Sequence, residues 1–198
     1  MPEHIHLIRH GQSTFNALFD LNPVDPLHFD ACLSQLGIDQ VAAARQAASE
    51  IPADLVVVSP LTRALQTTVG LFGEAAVPII VTDLHRERLE HSCDRGRSPS
   101  VLAAEFPTLT FDHLSDPWWY DGQEDDRGVA VEPDHLFARR VTDFSQWLRA
   151  RPEDVVVVVG HGEIFRRLSS RYLRNCEIME WRPRGCPLWV HHRPDEKP

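Results

Sequence analysis

Two apolar runs, residues 55–59 (Leu-Val-Val-Val-Ser) and residues 155–160 (Val-Val-Val-Val-Val-Gly), carry no polar alternation. Continuous β-branched runs of this length predict strands buried on both faces, as in the interior of a parallel sheet. Three further short runs, residues 4–9, 78–82 and 188–191, complete a set of five predicted strands. Between them the apolar positions follow a helical period. A helix is predicted over residues 35–50, capped by Ser34 and ended before Pro52. Ser59-Pro60 reads as a cap with proline in the first turn of a helix over residues 61–72. A short helix is predicted over residues 99–106. A longer one opens at Glu132-Pro133, where Phe137, Val141, Phe144 and Leu148 form one stripe. The last covers residues 163–173.

Strands alternating with helices predict an α/β fold, a three-layer α/β/α arrangement around a mostly parallel sheet. The 198 residues fit one domain, residues 1–198, with a full core. Residues 107–131 break the pattern. They hold Trp118, Trp119 and Tyr120 followed by Asp121, Glu124, Asp125 and Asp126, and are expected to form an irregular insert or lid, with the aromatics anchoring it to the core.

Composition narrows the function. A net charge of −9 speaks against a broad nucleic-acid surface. No apolar stretch approaches the roughly 20 residues that span a bilayer, and the first residues lack a signal-peptide pattern. A cytoplasmic enzyme is expected, with neither nucleic acid nor membrane as partner. Cys32, Cys93, Cys176 and Cys186 are widely spaced and read as free thiols. The eleven histidines do not fall into known metal-ligand spacings, so neither metal nor other cofactor is expected.

The candidate chemistry sits at strand ends. Arg9 and His10 end the first run, Arg63 follows the second, and His161-Gly162 follows the fourth. In open α/β sheets ligands lie beyond the carboxyl ends of the strands, so these residues can converge on one crevice. A neutral imidazole can attack phosphorus, guanidiniums can hold non-bridging oxygens, and a second imidazole can stabilise charge in flight. Helix N-termini there add free N–H groups. A carboxylic acid must protonate the leaving alcohol; Glu87 is the first candidate and Glu90 the second.

The segments Arg9-His10-Gly11-Gln12-Ser13-Thr14-Phe15-Asn16, Leu33-Ser34-Gln35-Leu36-Gly37, Ser59-Pro60-Leu61-Thr62-Arg63-Ala64-Leu65-Gln66-Thr67 and Gly160-His161-Gly162 occur in one order along the chain. In these the chain resembles the histidine phosphatase superfamily, in its phosphoglycerate mutase-like branch. The resemblance implies His10 as the phosphorylated nucleophile, with Arg9, Arg63 and His161 completing the phosphate pocket. It also implies Asn16 as a further polar contact and a carboxylate donor that Glu87 matches by position. Gly162 is carried along in the phosphate-binding set.

Gln12 stands where many mutases of that branch carry Glu, and the chain is shorter than the glycolytic mutases. The expected function is therefore a metal-independent phosphomonoesterase, resembling histidine acid phosphatases, that acts on a small phosphorylated molecule and releases inorganic phosphate. A mutase-type phosphotransferase and a non-catalytic phosphate-binding module are the alternatives. Arg86, Arg88, Arg95 and Arg97 are candidates to meet a second anionic group, which the acidic stretch over residues 121–126 would oppose if it covers the mouth. Residues 186–190 read as an edge strand able to pair with a second copy, giving a homodimer.

Overall fold

The computed structural model describes residues 1–73 and 76–182, and the backbone of residues 189–192. Six strands form one sheet in the order β3-β2-β4-β1-β5-β6. These are β1 (His4–Arg9), β2 (Leu55–Val58), β3 (Ile79–Val81), β4 (Val155–Gly160), β5 (Ile178–Trp181) and β6 (Trp189–His192). β3, β2, β4 and β1 run parallel; β5 is antiparallel to β1, and β6 to β5. The sheet is mixed but mostly parallel, as the valine runs predict.

The helices are α1 (Thr14–Phe19), α2 (Gln35–Ser49), α3 (Thr62–Phe72), α4 (Pro99–Glu105), α5 (Asp134–Arg149) and α6 (Gly162–Ser169). Strand residues alternate between two faces. Val56, Val58, Val157 and Val159 pack with Val41, Ala44 and Leu65 of α2 and α3. Leu55, Val57, Val156 and Val158 pack with Phe137, Phe144 and Phe165 of α5 and α6. Two cores on opposite faces make the three layers, and burying each such side chain contributes roughly 1.5–3 kcal/mol.

Several boundaries differ from the sequence pattern. α1 and β5 were not legible in it. α6 stops at Ser169 because Ser170 turns into the left-handed region at φ 61°, well before residue 173. α3 takes Leu61 as its N-cap rather than Ser59. β6 begins at Trp189, and the rest of the 186–190 run lies outside the described residues. Residues 107–131 form no helix or strand. Trp118 sits in the core, 2% exposed, and its indole Nε1–H donates to the Arg97 carbonyl at 2.8 Å. No helix among the described residues is long and apolar enough to cross a membrane.

Candidate active site

β1 and β4 lie side by side in parallel, with Arg9 opposite Gly160. The residues that follow each strand are therefore neighbours. The His10 and His161 rings lie 5.2 Å apart, centroid to centroid, and both are buried. Arg63, in the first turn of α3, is 2% exposed and reaches the same place. A cavity of about 490 Å³ opens over His10 and Arg63, lined by Arg9, His10, Asn16, Arg63 and Glu87 among others, while His161 is fully buried beside His10 and is not part of the lining.

The hydrogen bonds fix how each group is presented. His10 Nδ1 lies 2.7 Å from the Gly11 carbonyl, to which only an N–H can donate. The proton is thus on Nδ1 and Nε2 carries the lone pair. Arg63 Nε–H donates to that lone pair at 3.2 Å. Burial, then the charges of Arg63 and Arg9, hold the His10 imidazole well below its ordinary pKa, so it is neutral. Burial and Arg63 do the same to His161.

His161 Nε2 lies 2.7 Å from Ser59 Oγ. Leu61 N–H approaches the same oxygen at 3.5 Å, an acceptor role for the serine; with no other acceptor for the hydroxyl hydrogen among the described residues, it goes to Nε2, which leaves the imidazole proton on Nδ1. His161 Nδ1 has no hydrogen-bond partner, and neither has Arg9 Nε, although both atoms are buried. The Arg9 guanidinium is otherwise held by the Leu173 carbonyl at 2.8 Å and by the face of Tyr172 at 4.6 Å.

Glu87 lines the same cavity. Its Oε2 accepts from Glu163 N–H at 2.9 Å and its Oε1 from Ile164 N–H at 3.1 Å, at the start of α6. These helix N–H groups are taken by a carboxylate, contrary to the expectation that they are free for the ligand. Burial, then the charge of Asp94, raises the Glu87 carboxyl from the ordinary 4.5 to about 7, against the Glu163 N–H, the Arg63 charge and the Arg88 N–H, which donates to Oε1 at 3.1 Å. The segment before it is pinned from two sides. His85 Nε2–H donates to the Val159 carbonyl at 3.1 Å, and burial lowers that imidazole to about 3, so it stays neutral. Arg140 of α5 donates to the Arg86 carbonyl at 2.7 Å and the Glu87 carbonyl at 3.3 Å, and pairs with buried Glu132 at 2.5 Å.

The remaining expected residues divide. Asn16 lines the cavity, while its Oδ1 accepts from Ser13 N–H at 3.2 Å and caps α1. Gly162 opens α6, and a Cβ there would come within 2.8 Å of the Tyr172 ring. Glu90 also lines the cavity but is exposed. Arg86, Arg95 and Arg97 are not part of the lining, which corrects their reading as substrate contacts. Arg86 pairs with Glu132 at 3.3 Å, Arg95 with Glu124 at 3.1 Å and Arg97 with Asp30 at 2.8 Å. Each is held in an ion pair with a carboxylate distant in sequence, and two of those carboxylates, Glu132 and Asp30, are buried. Asp121 and Glu124 line a different cavity, so the acidic stretch does not cover this one.

Arg88, expected with Arg86, Arg95 and Arg97, does line the cavity; Asp94, Phe19, Tyr172, Arg174 and Asn175 line it too and escaped the sequence reading. Ser59 escaped as well, because Ser-Pro before a helix reads as a cap. Among the described residues no group of three His, Cys, Asp or Glu side chains is placed to hold a metal ion.

The sequence profile of the histidine phosphatase superfamily (branch 1) matches residues 5–188. The chain belongs to that superfamily. It is 28% identical to a phosphoglycerate mutase-like protein of Arabidopsis thaliana, over 87% of this chain and 75% of that one. It is 30% identical to glucosyl-3-phosphoglycerate phosphatase of Mycolicibacterium vanbaalenii, over 84% of this chain and 72% of that one. Among solved structures, a putative α-ribazole-5′-P phosphatase from Escherichia coli superposes with a TM-score of 0.61 at 19% identity, covering 89% of each chain. Mycobacterial glucosyl-3-phosphoglycerate phosphatase in complex with VO3 gives 0.57 at 21% identity, covering 90% of each chain. The fold is thus that of phosphoglycerate mutase-like histidine phosphatases.

Proposed function

We propose that the chain is a phosphomonoesterase that works through a covalent phosphohistidine on His10. The observation that carries this reading is a neutral His10 at the cavity with two buried nitrogens that lack partners, Arg9 Nε of the preceding residue and His161 Nδ1 of the neighbouring ring. Buried donors without acceptors are costly, and a phosphoryl group at the cavity floor offers oxygens to both. Its third contact is Arg63, whose Nε–H loses its acceptor when the His10 lone pair engages phosphorus and bonds the adjacent phosphoryl oxygen without movement of the guanidinium.

Nε2 of His10 attacks phosphorus and the ester P–O bond breaks. Glu87 gives its proton to the departing alkoxide, and the alcohol leaves. Glu87, now ionised, takes a proton from water as its oxygen attacks the phosphohistidine. The P–N bond breaks, inorganic phosphate forms and Glu87 is protonated again. The cavity wall carries both signs, Asp20, Glu90 and Glu163 beside Arg88 and Arg174, so the preference for hydrolysis over transfer to a second hydroxyl rests on the likeness to relatives named as phosphatases. The substrate is a small phosphomonoester.

The test is trapping with a ³²P-labelled phosphomonoester, quenched in alkaline detergent. An acid-labile, base-stable label is expected on the wild-type chain and none on His10→Ala. Turnover that survives His10→Ala would overturn the mechanism.

A further inference from the structure

We propose that Asp94 is a positioning residue: its buried carboxylate fixes the plane of the Arg63 guanidinium and thereby directs Arg63 Nε, rather than a terminal nitrogen, at His10 Nε2. The proposal deepens the phosphohistidine reading and rests on it for its catalytic consequence.

Arg63 is gripped by one short unit. Its Nη1–H donates to the Cys93 carbonyl at 2.6 Å and its Nη2–H to Asp94 Oδ1 at 2.8 Å. With both terminal nitrogens held, rotation of the fork is blocked and the third edge, Nε–H, has one direction left. Asp94 is itself fixed. It is 4% exposed, ends the 3₁₀ turn Ser92–Asp94, and its Oδ2 accepts from His91 N–H at 3.1 Å and Glu90 N–H at 3.4 Å. A planar guanidinium held by a rigid carboxylate is the arrangement that directs donors most tightly.

The same charge acts on Glu87. Glu87 faces Asp94 and Cys93 from the 3₁₀ turn, Arg63 from α3, the first N–H groups of α6, and Arg140 of α5 at its carbonyl. Of these, Asp94 is the fixed anion that opposes ionisation of Glu87. Asp94 thus links the orientation of one group to the protonation of another.

Asp94→Asn keeps the shape and removes the charge. Two readings that need no turnover are taken on the folded variant: its affinity for orthovanadate, and the carboxyl ¹³C titration of Glu87, assigned with Glu87→Gln. Vanadate is expected to bind roughly tenfold or more weakly, the loss typical of a displaced charge-assisted hydrogen bond. The Glu87 titration moves to lower pH, and the alkaline limb of kcat/KM moves with it. Unchanged vanadate affinity overturns the assignment. So does weaker binding with the Glu87 titration unmoved, which would mean general loosening of the pocket. Should Asp94→Asn not fold, Asp94→Ser carries the same comparison, and failure of both to fold assigns Asp94 to structure alone. If the wild-type chain forms no phosphohistidine, the proposed function fails while vanadate and the carboxyl titration still decide the role of Asp94.

Discussion

Arg63 Nε–H points at His10 Nε2 from 3.2 Å, so the imidazole's lone pair is engaged by a cation. The contact fixes the imidazole's rotation and holds it unprotonated. It also places a planar donor where phosphoryl oxygens arrive.

Arg63→Lys keeps the charge but loses Nε–H and the fork that Cys93 and Asp94 grip. Loss of one directed donor to a transition state typically costs about 10²–10³ in rate. A fall of that order in kcat/KM for an aryl phosphate is expected, mainly in kcat. A variant within threefold of wild type would show that charge alone suffices.

The pH profile follows from two shifted groups. His10 is held below its ordinary pKa and must be neutral, so the acid limb of kcat/KM lies below the usual histidine range. Glu87 must be protonated and sits at about 7, so activity falls as pH rises through that value. Glu87→Gln should remove the alkaline limb and slow alkyl phosphates far more than esters with good leaving groups. The same raised carboxyl makes folding pH-dependent. Its contribution is full below about pH 4.5 and lost as pH rises through about 7. Urea melts of Glu87→Gln should lack that decline.

Ser59→Ala leaves His161 Nε2 without its 2.7 Å partner. The proton is then no longer directed to Nδ1, and the donor to the phosphoryl group is weakened. The expected loss is roughly tenfold in kcat/KM, the scale of one buried hydrogen bond. Imidazole ¹⁵N shifts report the tautomer directly, and identical shifts in both proteins would remove the serine from the account.

Arg140→Met breaks a buried pair with Glu132 and releases the carbonyls of Arg86 and Glu87. Removing one partner of such a pair costs roughly 3–5 kcal/mol, read as a lower midpoint in denaturant. At temperatures where the variant stays folded, kcat should fall more for alkyl than for aryl phosphates, because the mislaid group is Glu87.

What the sequence made legible depended on how each element is stabilised. β2 and β4 are buried on both faces, so their valines write a continuous signal. β5 is equally buried, but it carries Glu180, which pairs with His4 at 2.9 Å, and that polar residue erased the apolar run. α1 has six residues, and its capping box uses Asn16 in place of Glu or Gln, so neither length nor signature announced it. That Arg9, His10, Arg63 and His161 come together was readable because each stands at a strand end or first turn. Asp94 was not, since acids and arginines alternate from Asp83 to Arg97 and nothing local distinguishes a buried carboxylate from its solvated neighbours. Arg86, Arg95 and Arg97 were misread for the same reason.

The pairing of residues 4–9 with residues 155–160 joins stretches made far apart in time during translation. A chain emerging from the ribosome holds Arg9, His10 and Arg63 long before β4 appears, and until it docks there is no second imidazole, no seat for the Glu87 carboxylate at the start of α6, and no neighbour on that side of the first strand. Assembly of the pocket is therefore a late event of biosynthesis, and a nascent chain that has not reached β4 is chemically silent.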